Sequence, residues 1–433
     1  MVFSCPDDAT ISKLYPSNLR LKLLQVVHRH GERTPVSNGI SPWWPTDIWK
    51  ICHHRPFMHA LYSALEQTHA APKPLLDITA HHESLPSFSQ VVFEGPKPTL
   101  LLSLKSMQQV ANDGQCYFGQ LTDRGKQSLQ SMGANMRKLY IDKLKFMHPD
   151  IDASRAKDIY LRSTDYARTL ESVQYLVNGL YPATYRHDVH DLKVHMRSDE
   201  NMYPVYDCAY LSRLTSDRRA RLLKEGKEEI NVMLRRFERF ISGEKQPEFT
   251  QLHGLYDSFI CTQAHGLPLP DGVTPKDVLE LEQMTVKYWW DVFNDRDIAR
   301  LSMGRFVADL KQRMEDCVSG KAGPRLAVYS GHDSTVGPLL SAFEIFDRRY
   351  PPFASMVTLE LFEEGDTQDG NRRNQAKAHY VRVLYEGQPA LVPACQKSGK
   401  HHVDDKSLCT FAAFREAMDK VIPEDWKKAC SST

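Results

Sequence analysis

Val26-Val27-His28-Arg29-His30-Gly31-Glu32-Arg33-Thr34-Pro35 joins an apolar run to a cluster of cations. The run from Leu21 to Val27 predicts a buried strand. Gly31 then permits a sharp turn and a close backbone approach to a ligand. Arg29 and Arg33 flank His30 with planar donor forks matched to phosphate oxygens. Two fixed cations disfavour the imidazolium form and lower the pKa of the ring between them. A neutral imidazole facing a phosphoryl group is a nucleophile.

Two further segments share this design. Lys157 to Thr164 is a short β-leaning run ending in Leu161-Arg162-Ser163-Thr164. Thr164 or Asp165 is the expected cap of the next helix, with Leu170, Val173, Val177 and Leu180 on one face. Leu326 to Tyr329 leads into Ser330-Gly331-His332-Asp333, and Pro338 to Leu340 fall in the helix after it. Strands alternating with helices predict an α/β fold with a mostly parallel central sheet flanked by helices. Ligands bind beyond the carboxyl ends of such strands, so Arg29-His30, Arg162 and His332-Asp333 are expected to meet in one pocket.

Arg29-His30-Gly31-x-Arg33-x-Pro35, Leu161-Arg162-Ser163-Thr164 with Arg168-Thr169, and Gly331-His332-Asp333 resemble the three signatures of the histidine acid phosphatases, a branch of the histidine phosphatase superfamily. Gly95-Pro96-Lys97-Pro98, Gly119-Gln120-Leu121-Thr122, Tyr203-Pro204, Gln263-Ala264-His265 and Pro351-Pro352-Phe353-Ala354 are similar, in the same order, to the lysophosphatidic acid phosphatase group within that branch. The resemblance implies a phosphoglycerate mutase-like core and hydrolysis of phosphate monoesters through a phosphohistidine on His30. Arg29, Arg33, Arg162 and His332 would hold the phosphate, and Asp333 would protonate the leaving alkoxide. It implies no cofactor and no metal; several cationic donors can stabilise phosphoryl transfer by themselves. Arg168 is expected to be a structural ion-pair partner and is left outside the site.

Substrate choice lies outside these motifs. Residues 42 to 57, rich in aromatics and proline, suit an apolar tail better than an inositol polyphosphate. A lysophospholipid such as lysophosphatidic acid is therefore favoured as the small-molecule partner. A phytase-like inositol phosphate phosphatase, a mutase and a non-catalytic phosphate-binding protein are the alternatives.

The chain has 433 residues and a net charge of +1, which argues against general nucleic-acid or anionic-membrane binding. No apolar stretch approaches the roughly 18 residues of a bilayer span. The motifs place an α/β core at 15–40, 115–190 and 320–390. Insertions at 41–114 and 191–319 form a mainly helical cap, and 391–433 is a C-terminal segment. Val357 to Leu361 and Tyr380 to Tyr385 alternate like half-buried strands of a hairpin. Arg218-Arg219-Ala220-Arg221 is expected on a solvated helix face, and Trp289-Trp290 in the cap core. The nine cysteines are odd in number and scattered. No spacing makes a bridge compelling, and Met1 to Thr10 lacks a secretory signal. An intracellular enzyme with mostly free thiols is expected, cytoplasmic in the first place and mitochondrial in the second.

Overall fold

The computed structural model describes residues 3–36, 50–52, 90–94, 116, 118–187, 192–205, 207–241, 249–365 and 377–431. In chain order its strands are β1 (Leu19–Arg29), β2 (Gln90–Glu94), β3 (Ile151–Asp152), β4 (Ile159–Ser163), β5 (Arg186–His187) and β6 (Lys193–Arg197). Then come β7 (Leu326–Gly331), β8 (Met356–Glu364), β9 (His379–Tyr385), β10 (Gln388–Ala390), β11 (His401–His402) and β12 (Asp405–Thr410). β3 and β5 form a separate pair; the other ten make one sheet in the order β11-β12-β9-β8-β1-β7-β4-β6-β2, with β10 on β9.

From β1 through β7, β4 and β6 to β2 every pairing is parallel, while β8, β9 and β12 extend the other side of β1 antiparallel. The expected mostly parallel centre is present, with an antiparallel wing beside it. Register aligns the ends that matter. Arg29 lies beside Gly331 and Ser163 beside Ser330, so three strands finish at one level.

Helices cover both faces. Leu24, Val26, Leu161 and Val328 pack under helices Asp123–Met136 and Ala167–Leu180, whose Leu129, Met132, Leu170 and Val173 are buried. Leu23, Val27, Ala327 and Tyr329 pack under helices Arg296–Val318, Asp333–Ala342 and Phe411–Asp419. Burying one such side chain is worth about 1.5–3 kcal/mol. The first two helices touch backbone to backbone, because a Cβ on Gly133 would strike Leu176 and one on Gly179 would strike Gln130.

Several expectations need correction. β6 and β2 lie inside the two stretches assigned to the cap, yet both belong to the sheet. Helix Arg296–Val318 likewise covers the core. The remaining cap is helical, as Ala209–Glu225, Lys227–Arg236, Phe249–Ala264 and Pro275–Thr285, with its own cluster of Phe237, Leu252, Leu255, Phe259 and Leu281. β8 and β9 do form a hairpin, but Thr358, Glu360 and Arg382 on them are buried, not solvated. Arg382 Nε donates to Glu360 Oε2 at 2.9 Å, and the Tyr15 and Tyr140 hydroxyls donate to Oε1 at 2.6 and 2.8 Å. The basic run is also not simply solvated: Arg219 lies 4.2 Å over the Trp289 ring, and Arg218 pairs with Asp295. Trp290 is buried as expected of the cap core, and Trp289 is partly buried against it.

The thiol expectation fails. Cys52–Cys116, Cys208–Cys430 and Cys395–Cys409 are disulfides, leaving Cys5, Cys261 and Cys317 free. The argument for an intracellular enzyme from free thiols loses that support. Among the described residues no helix is long and apolar enough to cross a membrane. Pro42-Trp43-Trp44-Pro45, in the aromatic and proline-rich stretch, lies outside the described residues.

Candidate active site

His30 follows directly on β1 and is buried at the sheet edge. Its Nδ1 lies 2.8 Å from the Gly31 carbonyl oxygen, which can only accept, so Nδ1 carries the proton. Nε2 therefore holds the lone pair. Burial, then the charges of Arg168, Arg29 and Arg33, hold the imidazole pKa well below its usual 6.5. Gly31 serves packing rather than ligand approach: a Cβ there would meet the Gly125 backbone at the start of helix Asp123–Met136.

Arg29 donates from Nη1 to the Pro351 carbonyl at 2.6 Å and pairs through Nη2 with Asp333 Oδ2 at 2.9 Å. Its guanidinium lies 4.1 Å over the Phe353 ring. Arg33 is held in a fork by Asp257, with Nη2 to Oδ1 at 2.7 Å and Nη1 to Oδ2 at 3.2 Å. Asp257 comes from cap helix Phe249–Ala264.

Asp333 opens helix Asp333–Ala342. Burial pushes its carboxyl up, but Arg29, Arg33 and His332 outweigh that and hold it at about 2. His332 lies edge-on to His30, with ring centroids 5.6 Å apart. Thr169 Oγ1 donates to the Tyr166 carbonyl, so the Thr164 hydroxyl, 2.9 Å away, must donate to Thr169. His332 Nε2, 2.9 Å from Thr164 Oγ1, is then the donor to Thr164. Neutral His332 has its lone pair on Nδ1, so it gives a second donor only as imidazolium.

Residues 20–386 match the histidine phosphatase superfamily (branch 2). The chain belongs to this superfamily. The phosphoric monoester hydrolase class expected from the sequence goes with that membership. It is 27% identical to a probable acid phosphatase of Schizosaccharomyces pombe, covering 96% of this chain and 95% of that protein. It is 25% identical to human lysophosphatidic acid phosphatase type 6, covering 99% and 89%. A phytase from Citrobacter braakii shares the fold at a TM-score of 0.57 and 12% identity, covering 96% of this chain and 100% of that one.

Within this histidine phosphatase, two arginines exchange their expected places. Arg162 is not brought to the His30 cluster. Its Nη2 donates to Glu200 Oε1 and Asn201 Oδ1, both at 2.6 Å, and its Nη1 to Asp309 Oδ2 at 3.2 Å. Arg168, set aside as structural, is half-buried and acts on His30 together with Arg29 and Arg33. It has no carboxylate partner among the described residues, and rests 4.6 Å over the Tyr166 ring. Burial and Arg33 together lower its pKa to about 10. The error lay in the helix start. The helix begins at Ala167 with Tyr166 as N-cap, not at Thr164 or Asp165. Arg168 thus sits in the first turn, which faces the strand ends.

The cage is short of negative charge. Among the described residues Arg29, Arg33 and Arg168 are balanced only by Asp333 and Asp257, and each of the three leaves a buried Nε without a hydrogen-bond partner. Uncompensated buried cations are costly, and an anion in their midst relieves the imbalance. Asp257 was not found because it reaches the site from a segment far from the motifs, and Tyr350, next to Pro351-Pro352-Phe353-Ala354, because nothing local marks a tyrosine as the partner of Asp333.

Proposed function

We propose that the site hydrolyses phosphate monoesters through a phosphohistidine on His30, with lysophosphatidic acid as the preferred substrate. The observation that carries this reading is His30 Nδ1 donating to the Gly31 carbonyl, which leaves the Nε2 lone pair free beside Arg29, Arg33 and Arg168. Arg29, Arg33 and Arg168 would bind the phosphoryl oxygens, His332 adding a donor once protonated. His30 Nε2 attacks phosphorus as the ester P–O bond breaks, and the leaving oxygen takes a proton from Asp333. Water then attacks phosphorus and gives a proton to the Asp333 carboxylate; as the new P–O bond forms the P–N bond breaks, its electron pair returns to His30 Nε2, and phosphate is released.

In the free enzyme Asp333 is ionised and paired with Arg29. A bound phosphoryl group competes for Arg29 and adds negative charge beside the carboxyl, raising its pKa toward the acid role. That requirement supports an acidic working range. The lysophosphatidate preference is supported by relatives named for that activity across nearly the whole chain. The phytase likeness, at 12% identity, speaks for the fold only.

Rapid quenching with 32P-labelled ester tests the intermediate. Acid-labile, base-stable label should appear on the wild type and vanish in His30→Ala, with turnover falling at least about 10³-fold. Label surviving in the variant rejects the nucleophile. Relative kcat/KM for lysophosphatidate, phytate and an aryl phosphate tests the preference, and phytate leading overturns it.

A further inference from the structure

We infer that Tyr350 is a positioning residue that orients Asp333 for proton donation, and that the cap holds Tyr350 in place through Glu282. The inference rests on the acid role proposed above for Asp333.

Three donors converge on this carboxylate. Ser334 N–H reaches Oδ1 at 2.7 Å, while Arg29 Nη2 and the Tyr350 hydroxyl reach Oδ2 at 2.9 and 3.0 Å. An incoming phosphoryl group draws Arg29 toward itself. Ser334 and Tyr350 then remain to fix the plane of the carboxyl group. A free carboxyl rotates about its Cβ–Cγ bond, whereas one held at both oxygens does not. A fixed plane keeps the acidic proton directed at the departing oxygen, which is the geometric demand of general acid catalysis.

Tyr350 is itself pinned from several directions. Its ring packs on Trp290 at 5.5 Å and Tyr256 at 5.0 Å, with the Arg29 guanidinium 5.4 Å above it. Its backbone N–H donates to Glu282 Oε1 at 3.3 Å. Glu282 also clamps the preceding residue, accepting from Arg349 Nε at 2.6 Å and Nη2 at 3.3 Å. Glu282 lies on cap helix Pro275–Thr285 and Tyr256 on cap helix Phe249–Ala264. The cap therefore reaches the chemistry through Tyr350.

Leaving groups separate positioning from packing. When the P–O bond breaks, its electron pair goes to the ester oxygen. A p-nitrophenolate departs without a proton, and an alkoxide does not. Tyr350→Phe should lower kcat/KM for glycerol 2-phosphate by about 10- to 100-fold, and for p-nitrophenyl phosphate by less than about threefold. Glu282→Ala should show the same split more weakly. Glu282→Gln, which keeps the acceptor for the Tyr350 N–H, should recover most of the loss. Equal losses on both esters would make Tyr350 a packing residue and overturn the inference, as would no loss on either. Asp333→Ala is the control. If it splits the two esters while Tyr350→Phe does not, only the Tyr350 inference fails. If Asp333→Ala shows no split, the acid assignment fails and takes this inference with it.

Discussion

Asp257, on a cap helix, grips both terminal nitrogens of Arg33 from the loop that follows the nucleophile, and also accepts the Val36 N–H at 3.1 Å. Cap and phosphate cage are therefore one electrostatic unit. Asp257→Asn leaves Arg33 buried without its counter-charge, at a cost of about 3–5 kcal/mol. The melting temperature should fall. Inorganic phosphate should raise it by more in the variant than in the wild type, because the added anion supplies the missing partner. Equal phosphate shifts in the two proteins would contradict the coupling.

Arg168→Ala and Arg162→Ala should part company. Arg168 is a half-buried cation with no carboxylate partner among the described residues, so its removal should weaken phosphate inhibition by at least about tenfold with little loss of stability. Arg162 neutralises Glu200 and Asp309. Its removal should cost about 3 kcal/mol, seen in denaturant melts, whether or not ligand is present. The reverse pattern would return Arg162 to the phosphate.

Stability against pH carries two opposing signals. Burial lowers the pKa of His28 from 6.5 to about 4. The unfolded ring binds a proton below 6.5 and the folded one does not, so this contribution is full above 6.5 and lost as pH falls toward 4. The linkage is worth about 3 kcal/mol. Burial raises Glu171 from 4.5 to about 7. Here the folded state holds the extra proton, so stability is full below 4.5 and lost as pH rises through 7. His28→Leu should gain melting temperature over wild type at pH 5 relative to pH 7.5. Glu171→Gln should gain it at pH 8 relative to pH 5. Parallel Tm curves for wild type and variants would show that neither group is linked to folding.

Cys208–Cys430 joins residues 222 positions apart and ties the C-terminal helix Trp426–Ser431 to the start of helix Ala209–Glu225. A closed loop of that size is worth about 5 kcal/mol on chain-entropy grounds. Cys430→Ser should lower the unfolding midpoint measurably in non-reducing buffer, and added reductant should then shift the variant less than the wild type. An unchanged midpoint would mean the bridge is not formed in solution.

What the sequence made legible was what it encodes locally. Mainly apolar runs ending in glycine or in Arg-His marked β1 and β7, and 3.6-residue spacing marked the faces carrying Leu129 and Leu170. Alternation misled at β8 and β9, because a buried Glu360–Arg382 pair has the same pattern as a solvated strand face. Arg168 was missed by placing the helix cap one or two residues early, which set Arg168 deeper in the helix than its true place in the first turn. Asp257, Tyr350 and the bridges at separations of 64 and 222 depend on tertiary proximity, which has no short-range signature.

Cys52 and Cys116 lie 64 positions apart, yet their bridge sits in a small cluster with Cys261 and Phe353, the ring beneath Arg29. The long insertion is thus tied off at its base, beside the aromatic support of the nucleophile. Its two half-cystines act as fixed anchor points, so two segments distant in the chain and the ring under Arg29 share one covalent staple.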